Sequence, residues 1–478
     1  MAAADYEHFS RDQLMDALVD RDQTIVRLEA RIAQLEAHVA KLERLLDDAT
    51  RGGKRQAAPF SKGPPTPDPK TPGRKPGDAY GRHAHREAPV TPPDDIIDVP
   101  LPRRCPDCGG SLEEIELACQ HQIELPRQPL HRRFDLHIGR CRGCGRRHQP
   151  RHPLQTSDAL GAAAVQLGSN AQVFVAMMKN KFGLSYGDIT GMLRDWFGLA
   201  FTRGAGARLV QRVAQRIEPV YDQLKTVTRL GDMVCPDETG WKVGGVLNWL
   251  HVFVTRQVTL YVIRPSRGRD VPQEILGPDY AGLMTHDGWA PYDAFVHAIH
   301  QQCLRHLFNR CKELIEQAVT RARQFPAQLA EVLHCALRLR DRRDAQTISP
   351  HGLAVARGRL ETRLDRLLGR RLAHAGNRRL ANFLARHRAQ VLAFLYHPGL
   401  EPTNWMGEQA IRPAVVNRKV FGGNRTAAGA HALEVQASVF VTCQKQDADA
   451  CCYVSNILRE PATTFGSPPF IPLPFVGY

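Results

Sequence analysis

The chain has 478 residues, 43% of them hydrophobic, enough for roughly two to four domains with buried cores. Its 64 Lys and Arg against 49 Asp and Glu leave a net charge of +15, which favours a polyanionic partner. No apolar run reaches about 18 residues, the N-terminus does not resemble a secretory leader, and twelve cysteines are too sparse for a disulfide scaffold. These features exclude a membrane partner and point to a cytoplasmic, reducing location.

Residues 11–49 carry a heptad pattern. Leu18, Ile25, Ile32, Val39 and Leu46 occupy one core position, and Leu14, Arg21, Leu28, Leu35 and Leu42 the other. Mostly β-branched residues at the first and Leu at the second predict a parallel two-stranded coiled coil, hence a homodimer or higher oligomer. Arg31 with Glu36, and His38 with Glu43, have the spacing for pairing between chains. Arg21 is a flaw in the seam, and an amphipathic helix packed on its own protein is the alternative. Residues 50–93 are rich in Pro and Gly and read as a linker. Within 51–90 there are nine Lys or Arg and three acids, which suits either a tail along DNA phosphates or a solvated spacer.

Residues 94–155 hold two Cys-x-x-Cys knuckles, Cys105 with Cys108 and Cys141 with Cys144, each followed by Gly. Four thiolates on two tight turns complete a tetrahedral structural Zn²⁺ site with no open position. Strand-like alternation in His121–Leu125 and Arg133–Ile138 makes this a zinc ribbon; Cys119 and His148 lie outside the knuckles. Residues 156–228 read as helices. Ser185–Arg194, a turn at Phe197–Thr202 and Ala205–Ile217 resemble helix-turn-helix, with Thr202 as cap and Arg208 and Arg212 offered to DNA. An ordinary helical bundle has the same pattern.

From residue 229 the pattern changes to strands: Met233–Asp237, Val246–Val254, Val258–Ile263 and Gly282–His286. Three antiparallel strands and then a parallel one after a helix are the series of a ribonuclease-H-like α/β core, assigned to 229–445. Asp237 ends the first strand, Asp287 follows the fourth, and Glu408 opens a short helix. Carboxylates brought to one point from strand ends and a helix suit two-metal phosphoryl transfer. Glu238 alternates to the opposite face from Asp237 and is not expected to be a ligand, and Asp293 reads as structural. Lys242, Arg412, Arg418 and Lys419 are candidate phosphate contacts. Arg412 shares a helix face with Glu408 and could instead orient it or form a simple ion pair. A helical insertion is expected at about 300–400. Residues 305–390 hold 19 Lys or Arg and seven acids, a DNA-clamping surface or a solvated helical face. Cys303 and His306 sit one turn apart at its start. With no second pair of ligands in view, they read as core packing or a DNA contact. Residues 446–478 form a C-terminal tail, and the whole is a multidomain α+β chain.

Asp237-Glu-Thr-Gly-Trp241, His286-Asp-Gly-Trp289, Cys303-Leu-Arg-His306, Glu408-Gln-Ala-Ile-Arg-Pro413, Arg418-Lys419 and Phe421-Gly-Gly-Asn424 resemble motifs of the insertion sequence 66 family of bacterial transposases. The heptads, basic linker, knuckles and Tyr453-Val-Ser-Asn-Ile-Leu458 follow in that family's order, so the resemblance covers nearly the whole chain. It implies a DDE triad of Asp237, Asp287 and Glu408 holding Mg²⁺ (or Mn²⁺). Water would cut DNA at the element end, and the freed 3′-hydroxyl would join it to target DNA. Element-end and target DNA are then partners in the nucleoid, and accessory transposition proteins are further ones. The family usually has two adjacent asparagines before the Glu motif, whereas this chain has Asn404-Trp405, which puts a helper contact in question. A metal-dependent nuclease that does not join, and an inactive zinc-dependent DNA-binding regulator, are the rival readings.

Overall fold

The structure is a computed structural model that describes residues 10–54, 92–100, 102, 104, 106–111, 119–120, 125, 128–161, 166–317 and 320–460. It is a mixed α+β chain with more helix than sheet, divided into two compact units. The smaller comprises residues 1–64 with 415–422, and the larger the remainder.

In the smaller unit one helix, α1 (Arg11–Lys54), covers all the heptads. Its start is set by a reciprocal box: Ser10 Oγ accepts from Gln13 N, and the Gln13 side chain accepts from Ser10 N. The heptad side chains Leu14, Leu18, Ile25, Leu28, Ile32, Leu35 and Val39 are all exposed, from 37% at Leu14 to 56% at Leu28.

The larger unit begins with a small antiparallel pair, β1 (Gly139–Arg140) and β2 (Arg147–His148). A strand was expected at Arg133–Ile138, but pairing starts only at Gly139. Within the expected strand Arg133 and Asp135 pair with each other at 2.8 Å and stay exposed, while Phe134 and Leu136 are half-buried and Phe134 packs on His152, so the alternation packs locally with no partner strand among the described residues. Three helices follow: α2 (Ser169–Asn180), α3 (Tyr186–Phe197) and α4 (Arg203–Leu230). Ser185 opens α3 through a capping box with Asp188, and Gly198 closes it at φ 65°. Thr202 Oγ1 accepts from Ala205 N at 3.1 Å and so caps α4, as its position suggested. Yet α4 runs far beyond Ile217. Leu209, Val210, Val213, Ile217, Val220, Tyr221 and Leu224 line one face and are buried in the core that the sheet shares.

The main sheet contains β3 (Met233–Val243), β4 (Val246–Val254), β5 (Thr259–Arg264), β6 (Leu283–His286) and β7 (Ile299–Gln302), with α5 (Asp270–Leu276) between β5 and β6. Its order is β5-β4-β3-β6-β7. The first three strands are antiparallel, and β6 and β7 add in parallel. The alternation in sequence located four strands and missed β7. Ile299-His-Gln-Gln has one aliphatic residue, and Gln301 and Gln302 are nevertheless buried. They are tolerated because their amides are satisfied: Gln301 donates to Val391 O, and Gln302 to Gln390 Oε1.

Helices α6 (Leu304–Gln317), α7 (Gln324–Asp344), α8 (Pro350–Leu368), α9 (Ala375–Arg386) and α10 (Arg388–Val391) follow β7 and enclose a separate apolar core around Leu329, Val332, Leu333, Leu364, Leu384 and Phe394. The chain then returns through α11 (Trp405–Phe421), α12 (Ala427–Lys445) and α13 (Ala450–Arg459). α12 protects the open edge of the sheet. Glu434, Ser438 and Thr442, four residues apart on the helix, accept the edge N–H groups of Ile263, Tyr261 and Thr259. Gly423 lets the chain between α11 and α12 touch the end of β3. A Cβ there, at φ 130°, would lie 2.2 Å from Lys242 O. Asn424 then donates to Lys242 O and accepts from Trp241 Nε1.

Candidate active site

β3 delivers Asp237 and Glu238 in succession, so their side chains leave opposite faces of the sheet. Glu238 is only 3% exposed and already engaged. It accepts from Arg267 at 2.8 and 3.1 Å and from Tyr292 Oη at 2.8 Å. The Arg267 guanidinium in turn lies 3.9 Å from the ring centre of Trp289 and 4.6 Å from that of Trp249. Asp237 is half-buried, and among the described residues its carboxylate accepts one hydrogen bond, from Glu238 N at 2.9 Å.

Asp287 follows β6, which pairs in parallel beside β3, so the two acids stand at neighbouring strands despite their separation in sequence. Asp287 Oδ1 accepts from Trp289 N at 2.9 Å across a turn made by Gly288. Only glycine suits that turn: φ is 89°, and a Cβ would lie 2.6 Å from Gln302 Oε1. Glu408 lies in the first turn of α11. The segment before it is tied to the sheet and to α6. Thr285 Oγ1 donates to Glu401 O, Leu304 N to Pro402 O, and Asn404 N to Cys303 Sγ. Asn404 Nδ2 donates to Pro236 O at 2.8 Å, and Asn404 O accepts from Glu408 N. One asparagine thus links the residue before Asp237 to the helix carrying Glu408. Trp405, the next residue, is exposed and donates to Glu401.

The electrostatics show that the acids act on one another. The Asp237 carboxyl is pushed up to about 7, chiefly by burial, then by the neighbouring Glu238 charge, and further by Asp287 and Glu408. Mutually repelling carboxylates with unshared oxygens fit a hard divalent cation such as Mg²⁺ or Mn²⁺. A measurable consequence follows for Asp237→Asn. Asp237 titrates near 3.8 when unfolded and near 7 when folded, so the native protein loses stability as pH rises through that window. Without metal, Asp237→Asn should be the more stable protein above pH 7 by roughly 4 kcal/mol, with no gain below pH 4. Mg²⁺ should stabilise the wild type at pH 8 more than the variant; equal thermal midpoints at all pH values would refute this.

Around Glu408 stand residues that sequence reasoning did not assign to it. Arg305 Nε is 3.7 Å from one carboxylate oxygen and His306 Nδ1 is 3.6 Å from the other. Arg412, the partner considered from helical spacing, is exposed and makes no ion pair with Glu408 among the described residues. Cys303, His306 and Glu408 present ligand atoms within 4.8 Å of one another. Asp237, Asp287 and Glu408 do not close to that distance as a set. The Cys-x-x-His spacing was visible in sequence, whereas its acidic neighbour about a hundred residues away was not. Asp293 faces His387 Nε2 at 3.3 Å, away from the acids' own contacts.

The remaining candidates are dispersed. Lys242 is exposed on β3, and Arg208 and Arg212 are exposed on α4, opposite its buried face. Arg418 and Lys419 lie in the last turn of α11. Cys105 lies outside the described residues. Cys108 is followed by Gly109 at φ 74°, and Cys144 by Gly145 at φ 70°. Cys141 N donates to Arg146 O and Cys141 O accepts from Gly145 N, which closes the turn between β1 and β2. The Cys141 thiol is held below its usual range, first by the backbone N–H of Cys144, then by the Cys144 side chain and Gly143 N–H. That donor set suits a thiolate ligand.

A sequence model of the family described as "Transposase IS66 family" matches residues 164–432, more than half of the chain. No curated protein matches the chain.

Proposed function

Because the chain belongs to the IS66 family of transposases, we propose that it cuts DNA at the ends of an insertion element and joins those ends to target DNA. Membership implies DNA as a partner, and no helix among the described residues is long and apolar enough to cross a membrane. Asp237, Asp287 and Glu408 form the DDE triad in this reading, on a ribonuclease-H-like core. The carrying observation is electrostatic. Burial first, then the Glu238 charge, raise the proton affinity of Asp237, and Asp287 and Glu408 from two other elements add to it, with β6 pairing in parallel beside β3 and Asn404 tying the Glu408 helix to Pro236 O.

The triad would hold Mg²⁺ or Mn²⁺, which when bound polarises the phosphoryl oxygens and makes water a better nucleophile. The chain's own groups supply the rest. Asn404 keeps the Glu408 helix against the backbone beside Asp237. Arg267 and Tyr292 retain Glu238 on the far face, so that its charge does not compete for the cation. Lys242, Arg208, Arg212, Arg412, Arg418 and Lys419 are suited to phosphate contact, with the basic helical insertion as a broader clamp. Cys105, Cys108, Cys141 and Cys144 would hold structural Zn²⁺.

The exposed heptad face of α1 supports self-association. Charging its centre with Ile25→Asp and Ile32→Asp should convert dimers or larger species to monomers in sedimentation equilibrium, with a dissociation constant at least about a hundredfold weaker. An unchanged mass would place the oligomer interface elsewhere.

Strand transfer by the full-length protein with Mg²⁺, a labelled element-end duplex and a plasmid target tests the function. Joined product supports the transposase. Nicking without joining of a pre-cleaved end would favour the nuclease reading, and binding alone the regulator.

A further inference from the structure

Cys303 lies just before α6, His306 in its first turn, and Glu408 in the first turn of α11. One ligand atom of each lies within 4.8 Å of the other two. Cys303 is 1% exposed, and its Sγ accepts from Asn404 N at 3.1 Å. Burial holds the Cys303 thiol above its usual range, against the backbone N–H groups of Asn404, His306 and Arg305 that bond its sulfur. His306 Nδ1 is buried and has no hydrogen-bond partner. Its distance of 3.6 Å to Glu408 Oε1 exceeds a hydrogen bond. It is close to the ~3.3–3.8 Å between two ligands of one tetrahedral zinc, given bonds of about 2.0–2.3 Å.

We propose that Cys303, His306 and Glu408 form a three-ligand site for a thiophilic divalent cation, Zn²⁺ or Cd²⁺, with solvent as the fourth ligand. Binding replaces the S–H bond of Cys303 by a sulfur–metal bond and releases the proton to solvent. The site is distinct from the four-cysteine knuckles. A sulfur and an imidazole select against Mg²⁺, which prefers oxygen ligands. An ion held here engages Glu408, so it withdraws that carboxylate from Asp237 and Asp287. This consequence rests on the triad reading; the binding site itself does not.

The test uses full-length protein with its knuckles already loaded with zinc. Cd²⁺ is added and followed by equilibrium dialysis and by the ultraviolet cadmium–thiolate band. The wild type should take up one equivalent more than Cys303→Ser. Serine keeps a hydrogen-bond acceptor at the start of α6, so the helix should still form. His306→Ala should weaken that additional site at least tenfold. Equal uptake by wild type and Cys303→Ser would overturn the site. Strand transfer with Mg²⁺ is then measured with and without added Zn²⁺, each protein against its own zinc-free rate. Loss in wild type but not in Cys303→Ser supports the withdrawal of Glu408, and equal loss in both overturns it. Absence of strand transfer from every protein would count against the transposase reading, while the dialysis result would still decide the metal site.

Discussion

Asp287→Ala and Glu408→Ala should each lower end cleavage and strand transfer by about 10³-fold or more, roughly 4 kcal/mol of transition-state stabilisation, while duplex binding persists. The acids come from β3, the end of β6 and the first turn of α11. Glu238, the nearest candidate, is committed to Arg267 and Tyr292 on the other face. In the proposed reading DNA is held by basic groups elsewhere, and removing a negative charge near the phosphates should not weaken that binding. Mobility shift and product formation on the same labelled duplex separate the two effects. The conservative Asp287→Asn should be nearly as inactive, because it is the anionic oxygen that a divalent ion requires. Variants that keep activity within tenfold of wild type would remove these residues from the triad.

Arg267→Met should destabilise the fold by about 3 kcal/mol, because it leaves the buried Glu238 carboxylate without its cation. The side chain also stacks between Trp249 and Trp289, so its loss opens the packing on that face of the sheet. Combining Arg267→Met with Glu238→Gln should recover much of the loss, since the uncompensated charge is then gone. Denaturant midpoints of the two single variants and the double variant measure this. Additive losses would mean that the pair contributes only packing. The disturbance should extend to the candidate site, because Glu238 is adjacent to Asp237 and its charge already raises that carboxyl.

Much of the local structure was legible in residue order because its causes are local. Alternating apolar residues gave β4 and β5, a threonine before a helical pattern located the start of α4, and glycine marked the knuckle turns. The acids could be nominated because each sits in a distinctive short context. β7 could not be read, since Ile299-His-Gln-Gln becomes a strand only when β6 and the following helices satisfy its buried amides. Helix was read through residue 228, but not that one helix runs unbroken from Arg203 to Leu230, because its buried side is defined by a sheet not yet formed.

By itself the order of residues determined the kind of molecule: a basic, multipart α+β chain with a heptad helix, cysteine knuckles and three candidate acids. Those features are written in composition and in periods of two, three and a half, or three to four residues, which need no distant partner. Only the tertiary structure decided the partnerships. It placed Asp287 beside Asp237 through the parallel pairing of β6 with β3, gave Glu238 to Arg267 and Tyr292, and brought Glu408 to Arg305, His306 and Cys303. Each of those pairings crosses tens to about a hundred residues. It exists because burial and hydrogen bonding are satisfied jointly when the sheet and helices pack, and neighbours along the chain carry no record of it.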